Sequence, residues 1–375
     1  MATMLPASSR PPRSLADTGE NLISQVTAPA PGTPRKVAVL VIDGLGSLQL
    51  GAHSGHARFL HRRFQEAGEE RYSGLPSTTA SALVSITTGV TPGQHGLLGY
   101  QVRDPESGQL VNHLKPFPPG VTPAQWQPVP TVFERATKRG IPARALCEGR
   151  FRGTDFTEAT LRGADLRGVE KLSDHLQELR SFFDEVDEGF AYVYWPAVDR
   201  VGHQHGVDSD QWRDALESVD AFCAELTGLL RPGEAVTVTA DHGMVDVADA
   251  KRFVISATDP LRADVATWAG EPRCVHLYLH DGVQPETWAT KCQDTLGEGF
   301  RVRTREALLA AGVFGDVSAE HEARIGDVVV FAEERWSLYD ELTASNSSLA
   351  MRGQHGSFSD AEIRVPHIPL EGGRS

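Results

Sequence analysis

The chain has 375 residues, which is enough for one large α/β domain with an inserted subdomain or for two ordinary domains. Hydrophobic residues make up 40% and charged residues 23% of the sequence, a globular composition that excludes a fibrous or wholly disordered protein. Its 36 Lys and Arg against 50 Asp and Glu give a formal net charge of -14, so we expect no non-specific binding to nucleic acid or to an anionic membrane.

The same sequence contains no run of the roughly 18 apolar residues that a membrane helix needs, and the N-terminus lacks the apolar stretch of a secretory signal. The four cysteines lie far apart, without the paired spacing of a zinc or redox motif, and are expected to be free buried thiols. We therefore expect a cytoplasmic protein. The sequence makes no prediction of its oligomeric state.

Three regions differ in composition. Residues 1–35 are rich in Pro, Ser, Ala and Gly and are predicted to be a poorly ordered leader. Residues 36–244 and 353–375 are predicted to form the main domain, and residues 245–352 an inserted α/β cap that selects the substrate.

Three apolar runs in the main domain each lead into an aspartate. They are VAVLVID at Val37–Asp43, AYVYWPAVD at Ala191–Asp199 and AVTVTADHG at Ala235–Gly243. Continuous apolar runs of this kind are typical of strands buried on both faces of a parallel sheet. Helical spacing between them, at Val169–Val186 and Ser209–Leu230, favours a mostly parallel central sheet with helices on both faces. Ligands of such sheets bind beyond the carboxyl ends of the strands, where the three aspartates are expected.

Further along the chain the sequence predicts the elements of the cap and the last strand of the main sheet. Cys274–Gly282 and Gly326–Ala332 read as strands, with a helix at Pro285–Leu296 between them. The chain then returns to the main domain, and Val365–Leu370 is expected to be its final strand.

Histidines accompany the aspartates in a pattern that suits metal ions. Asp241 directly precedes His242, Asp199 stands four residues before His203 in DRVGHQHG with Gly202 allowing a close turn, and His355 lies between glycines in GQHG. A single strand-end Asp or loop His is more often a capping or solvated group than a ligand. Three Asp and three His from separated segments are what two zinc-like ions need to share a phosphate.

A hydroxyl cluster, PSTTASALVSI, begins with residues that are ordinary helix caps and also candidate nucleophiles. Ser77, Thr78 or Thr79 could cap the helix that follows. A hydroxyl at a helix N-terminus lies beside free backbone N–H groups, which bind a phosphoryl group and stabilise an alkoxide. The two interpretations are compatible.

Five segments together resemble a known family. VLVIDGLG, PSTTASALVSITTGVTPGQHGL, DRVGHQHG, ADHG and GQHG are similar, in this order, to motifs of the type I phosphodiesterase and nucleotide pyrophosphatase family of the alkaline phosphatase superfamily. The match spans residues 37–370, and five motifs in order are far more specific than one. The resemblance implies an alkaline-phosphatase-like fold and a metal-dependent phosphodiesterase that acts on a small-molecule phosphate ester.

The same resemblance implies a set of site residues. One divalent ion would be held by Asp43, Asp241, His242 and the hydroxyl of Thr79, and the second by Asp199, His203 and His355. Zinc is expected, with manganese as the alternative. The family's nucleophile stands three residues after the motif's proline, which selects Thr79, with Thr78 as the second choice.

Other residues are candidates for binding substrate. Tyr100 occupies a position where nucleotide pyrophosphatases of the family usually carry an Asn that contacts phosphate, which puts a nucleotide substrate in doubt. His205 is expected beside the metal ligands rather than among them. Arg150 and Arg152, in GRFRG, could neutralise the extra charge of a phosphomonoester, although a solvated loop is the simpler interpretation.

Several alternatives stay open. Within the superfamily they are a phosphomonoesterase, a phosphonate hydrolase and a manganese-dependent phosphomutase. A non-catalytic protein with structural metal sites is the alternative outside it, although such a site needs no nucleophile beside an open coordination position.

Overall fold

A computed structural model of the protein describes residues 13–372. At its centre is a seven-stranded sheet with the strand order Glu69–Tyr72, Arg364–Glu371, Glu234–Thr239, Lys36–Ile42, Gly189–Trp195, Ala143–Cys147 and Asp165–Gly168. The five strands from Glu234–Thr239 to Asp165–Gly168 run parallel, whereas Arg364–Glu371 is antiparallel to both of its neighbours. The predicted mostly parallel sheet, flanked by helices, is confirmed.

The register of the central strands brings their carboxyl ends to one level. Ile42 pairs with Trp195, and Val41 pairs with Thr239. Residues 37–42 are all buried, as a strand covered on both faces requires. Residues that follow these strands therefore emerge side by side at one edge of the sheet.

Helices connect and cover the strands. The longer ones are Ala16–Thr27, Arg58–Ala67, Thr79–Thr88, Leu172–Glu185, Ala197–His205, Asp210–Leu229 and Pro285–Leu296. The shorter ones are Ser47–Ala52, Pro92–His95, Pro123–Trp126, Val132–Thr137, Asp155–Leu161, Arg305–Ala310, Ala319–Glu322, Asn346–Ala350 and Asp360–Ile363. Within residues 13–372 no helix combines the length and apolar character that crossing a membrane requires.

The first of these helices differs from the expected poorly ordered leader. Residues 1–12 lie outside the described part of the chain, but Ala16–Thr27 is helical, and Leu22, Ile23 and Val26 on it are buried in the main core. These apolar residues recur at helical spacing, which lets the segment bury a face despite the Pro and Gly around it.

Within residues 245–352 the chain builds a second, antiparallel sheet. Its strand order is Val265–Glu271, Cys274–Leu279, Val328–Ala332 and Phe300–Thr304. Helix Pro285–Leu296 packs on it and contributes Trp288 to a separate hydrophobic core. Short pairs complete the fold: Gln101–Arg103 with Leu110–Asn112, Val245–Asp246 with Gly353–Gln354, and Arg252–Ile255 with Ser337–Asp340.

A third hydrophobic cluster joins the second sheet to the main domain. Leu97 and Leu98 of the main domain pack in it with Cys274, Val329 and Phe331 of the second sheet. All five residues are fully buried. The second sheet is thus packed firmly against the segment that follows helix Thr79–Thr88.

Candidate active site

Two of the three aspartates follow central strands directly. Asp43 comes after Lys36–Ile42, and its backbone N–H donates to the carbonyl of Trp195 at 3.0 Å. Gly44 turns the chain with a φ of 76°, and its N–H donates to Asp241 Oδ1 at 3.1 Å. A Cβ on Gly44 would lie 2.9 Å from that of Asp199, so the glycine permits the close approach of the three carboxylates.

Asp199 belongs to the same cluster, but it lies in a helix and not at the end of a strand as expected. Its strand ends at Trp195, and Asp199 lies in the first turn of helix Ala197–His205. The expected turn between Asp199 and His203 is therefore wrong, and their four-residue spacing places them on one helical face. Their side chains approach to 3.4 Å, from Asp199 Oδ2 to His203 Nε2. Pro196 explains the difference, because it cannot continue the ladder.

The three histidines meet the aspartates at the sheet edge. The ring of His242 stacks on that of His355, with centroids 3.6 Å apart, and His355 Nε2 lies 3.3 Å from His203 Nε2. His242 Nε2 is 3.4 Å from Asp43 Oδ1 and 3.6 Å from Asp241 Oδ2. All six residues predicted to bind metal are thus gathered in one cluster.

Each of these rings is oriented by a backbone carbonyl. The Nδ1 atoms of His203, His242 and His355 lie 2.8, 3.0 and 3.0 Å from the carbonyl oxygens of Gly353, Gly243 and Ser77. A carbonyl only accepts, so each Nδ1 carries the proton and donates it. In the neutral ring the Nε2 lone pair then faces the cluster, which is how metal-binding imidazoles are held.

The carboxylates are buried without enough donors among the described residues. Asp43 Oδ1, Asp199 Oδ1 and Asp241 Oδ2 are buried oxygens with no hydrogen-bond partner. Burial, together with the charges of Asp241 and Asp199, raises the pKa of Asp43 well above its usual range. Burial also raises the pKa of Asp241. Three crowded carboxylates of this kind need positive charge between them, so their chemistry fits divalent cations.

Two groups of side chains are close enough to hold an ion. One is Asp199, His203 and His355, and the other is Asp43, Asp199 and His242; within each group the ligand atoms lie within 4.8 Å of one another. Asp199 belongs to both groups, which the sequence did not predict. Asp241, expected as a ligand beside Asp43, accepts the backbone N–H groups of Gly44 and His242 through its Oδ1 and keeps its Oδ2 free.

Thr79 is the hydroxyl residue that faces this cluster. It is the first residue of helix Thr79–Thr88, and its Oγ1 lies 3.1 Å from His242 Nε2. In the neutral ring that donates through Nδ1, this nitrogen accepts the hydrogen bond of the Thr79 hydroxyl. Thr78 is the N-cap and makes no capping bond with its side chain, and the Ser77 hydroxyl donates to the carbonyl of Ser357 at 2.5 Å. The geometry therefore favours Thr79.

The candidate substrate residues differ in their exposure and in their partners. Tyr100 is partly exposed, and its backbone N–H donates to Glu271 Oε2 at 2.6 Å. His205 is exposed at the end of its helix and belongs to neither metal group. Arg152 is exposed and donates to the carbonyl of Leu166 at 3.1 Å. The side chain of Arg150 is paired with Glu148, 2.5 Å away.

Two neighbours of the site were missed in the sequence. The hydroxyl of Tyr194 donates to Asp43 Oδ2, and burial raises the pKa of this phenol well above its usual range. Arg200, next to Asp199, donates to Glu148 Oε1 at 2.6 Å, so the buried Glu148 holds two arginines. A signal for Tyr194 existed, since it stands one residue before the end of a strand that leads into the site.

Comparison with known proteins identifies the class. Residues 37–358 match the family described as type I phosphodiesterase / nucleotide pyrophosphatase. This range covers most of the chain, and the chain belongs to that family.

Individual relatives are more distant. The chain is 24% identical over 188 residues to an uncharacterized pyrophosphatase/phosphodiesterase of Schizosaccharomyces pombe, an alignment that covers 47% of this chain and only 38% of the relative. Human ectonucleotide pyrophosphatase / phosphodiesterase 5 has a similar fold, with a TM-score of 0.68, 14% identity and coverage of 90% of this chain and 88% of that one. Phosphonoacetate hydrolase from Sinorhizobium meliloti, solved in complex with phosphonoacetate, gives a TM-score of 0.69, 20% identity and coverage of 91% of each chain.

Proposed function

We propose that this chain is a metal-dependent hydrolase of small-molecule phosphate esters, a phosphodiesterase or nucleotide-pyrophosphatase-like enzyme with Thr79 as its nucleophile. One observation carries the proposal: three imidazoles and three carboxylates, each with an oxygen that has no hydrogen-bond partner among the described residues, form one cluster, and the Thr79 hydroxyl at a helix N-terminus lies 3.1 Å from His242 Nε2 in it. A site that only braced the fold would need no such hydroxyl. Membership of the family supports the same conclusion.

Two divalent ions fit the donor set. Asp199, His203 and His355 would hold one, and Asp43, Asp241 and His242, with the Thr79 oxygen, the other. Carboxylate and imidazole ligands suit zinc and also permit manganese. When bound, such ions acidify a coordinated hydroxyl or water and compensate the charge of phosphoryl oxygens. Asp199, which belongs to both groups of side chains, would be available to either ion.

Thr79 performs the chemical step in this proposal. Its Oγ attacks phosphorus as the bond from phosphorus to the leaving oxygen breaks; the hydroxyl proton passes to water, and the leaving oxygen takes up a proton from water. The free N–H groups of the first turn of Thr79–Thr88 lie beside this oxygen and would bind the phosphoryl oxygens. Water then displaces Thr79 from the resulting phosphothreonine, which returns the hydroxyl and releases the phosphate product.

A monoester and a diester differ in charge, so the charged side chains of the protein bear on the choice between them. A monoester carries one more negative charge than a diester and calls for a free cation nearby. Arg150 and Arg200 are both paired with the buried Glu148, whose single negative charge offsets one of their two positive charges. The preference for a diester is therefore supported by membership of the family and not by this pairing. In this proposal Tyr100 and the second sheet, which packs against the segment carrying it, would select the leaving group.

A substrate panel tests the proposal. Purified protein loaded with zinc or with manganese is assayed on bis-p-nitrophenyl phosphate, p-nitrophenyl phosphate, a nucleotide diester, phosphonoacetate and a sulfate ester, with metal content measured in parallel. The expected result is two ions per chain and the fastest turnover on a diester. Faster turnover on the monoester or on phosphonoacetate would replace the diester assignment. Two bound ions without hydrolysis of any compound would favour the non-catalytic alternative.

A further inference from the structure

A buried ion pair links the second sheet to the metal cluster. Arg273, in the hairpin between strands Val265–Glu271 and Cys274–Leu279, and Glu362, in helix Asp360–Ile363, are both fully buried. Arg273 Nε lies 2.7 Å from Glu362 Oε1, and its Nη2 lies 2.8 Å from Oε2. This bidentate geometry fixes the orientation of both side chains.

The Arg273 side is anchored to the second sheet. Its guanidinium also donates to the carbonyl oxygens of Trp336, Glu334 and Ala332, the latter two at 3.0 and 3.3 Å. The guanidinium is therefore held by the loop that follows strand Val328–Ala332. A buried arginine with this many partners is a rigid support.

The Glu362 side holds the loops that carry two histidine ligands. Glu362 Oε1 accepts the N–H of Ser357 at 3.0 Å, two residues after His355. The backbone carbonyl of Glu362 accepts the N–H of Gly243 at 2.8 Å, one residue after His242. One residue thus binds the backbone beside both stacked imidazoles.

The same hairpin makes a second contact with the His355 loop. A Cβ on Gly356 would lie 2.7 Å from Glu271 Cγ, so this glycine lets the Glu271 side chain pack directly against the backbone. The hairpin therefore meets the loop at two points, on Gly356 and on Glu362.

We propose that Arg273 and Glu362 are positioning residues for the metal cluster, through which the second sheet sets the placement of His242 and His355. The inference rests on the proposed function, since it assumes that these histidines bind metal. Neither residue touches the metal or the substrate. Partners that orient metal ligands typically change metal affinity by about 10–100-fold when removed, and we expect an effect of that order.

The test compares this pair with a second bidentate pair far from the site. Arg180 and Glu234 are joined by two contacts of 2.6 Å, and Glu234 begins the strand whose opposite end leads to Asp241. The variants are Glu362→Gln and Arg273→Lys, with Arg180→Lys and Glu234→Gln as controls. Zinc affinities are measured by chelator competition, the Co²⁺ absorption spectrum reports ligand geometry, and thermal unfolding is measured without metal.

Glu362→Gln keeps the shape and the backbone carbonyl, loses the charge and turns one of the two acceptor oxygens into a donor. The Glu362→Gln and Arg273→Lys variants are expected to lose about tenfold or more in zinc affinity, with an altered Co²⁺ spectrum. The controls should lose thermal stability while their zinc affinity stays within about twofold. Unchanged zinc affinity and Co²⁺ spectra in Glu362→Gln would overturn the inference, as would an equal loss of affinity in the controls. Wild-type protein that binds zinc but hydrolyses no ester would overturn the proposed function alone.

Discussion

The Nε2 atoms of His203 and His355 lie 3.3 Å apart, and each ring uses its Nδ1 proton on a backbone carbonyl. Two lone pairs therefore face each other. Burial, reinforced by His242 and His203, lowers the pKa of His355 well below its usual range, so protonation of this ring does not relieve the repulsion. A divalent cation bound between the two nitrogens would relieve it.

Metal binding should accordingly stabilise the fold. Zinc at a thousand times its dissociation constant would add about 4 kcal/mol to the free energy of unfolding, because it binds the folded state selectively. The melting temperature should rise with zinc and fall with a chelator. His203→Ala should reduce this metal-dependent shift. The control His205→Ala, two residues away on the same helix and exposed, should leave the shift intact, and equal effects of the two changes would contradict the assignment.

Loss of the Thr79 hydroxyl should abolish turnover without loss of metal. Thr79→Ala is expected to reduce kcat by at least about a thousandfold, since nucleophile removal in hydrolases costs this much or more. Zinc content, measured by elemental analysis, should stay near the wild-type value. Thr78→Ala is the matched control, because Thr78 is buried next to Thr79 and makes no capping bond. Full activity in Thr79→Ala, or equal losses in both variants, would remove the role.

Close packing at Gly243 should make this position intolerant of a side chain. A Cβ there would overlap the carbonyl oxygen of Ala361 and lie 2.9 Å from Gln49 Oε1. Gly243→Ala should cost about 1–3 kcal/mol of unfolding free energy, because the backbone would have to move to avoid the overlap. It should also weaken zinc binding, because the preceding residue, His242, would move with it. Gly228→Ala is the control, since a Cβ in that helix meets nothing within 4 Å and should be neutral or slightly stabilising. Urea unfolding with a chelator present separates stability from affinity.

The stability of the metal-free protein should depend on pH through Glu271. Burial, with a contribution from Glu362, raises the pKa of Glu271 from 4.5 to about 8. A raised carboxyl pKa means that the folded state binds the proton more tightly. The contribution of Glu271 to the free energy of unfolding is therefore fully present below about pH 4.5 and is lost as the pH rises toward 8.

Glu271→Gln should remove this dependence while still accepting the N–H of Tyr100. The variant should match wild type near pH 5 and exceed it near pH 8.5 by up to about 4 kcal/mol, at 1.36 kcal/mol for each unit of pKa. Urea unfolding at both values, with a chelator throughout, measures the difference. A constant offset between the two proteins across this range would exclude the assignment.

Much of the clustering could be predicted because the proposed metal-binding residues lie at strand ends and in short motifs. The apolar run before Asp43 and the one before Asp241 each specify a central strand, and parallel pairing brings their ends together. Asp199 was expected on a strand and proved helical, because Pro196 stops the ladder. In that helix the four-residue spacing to His203 brings the two side chains to one face. The predicted pair therefore forms, although the predicted secondary structure around it was wrong.

Contacts between distant segments could not be predicted from the sequence. Arg273 and Glu362 lie 89 residues apart, and no local pattern marks either as a partner of the other. The sharing of Asp199 between the two ligand groups likewise depends on distances that spacing does not encode. The helix Ala16–Thr27 was not predicted because the residues around it are rich in Pro, Ser, Ala and Gly, although its apolar residues recur at helical intervals.

The strand Arg364–Glu371, which lies between Glu69–Tyr72 and Glu234–Thr239, has a consequence for the order of assembly. Asp43, Asp199 and His242 all precede the second sheet in the chain, whereas His355 follows it. The support of His242 also comes late, because the N–H of its neighbour Gly243 donates to Glu362, which follows the second sheet in the chain. A nascent chain that ends before the second sheet would therefore be expected to hold neither proposed ion firmly.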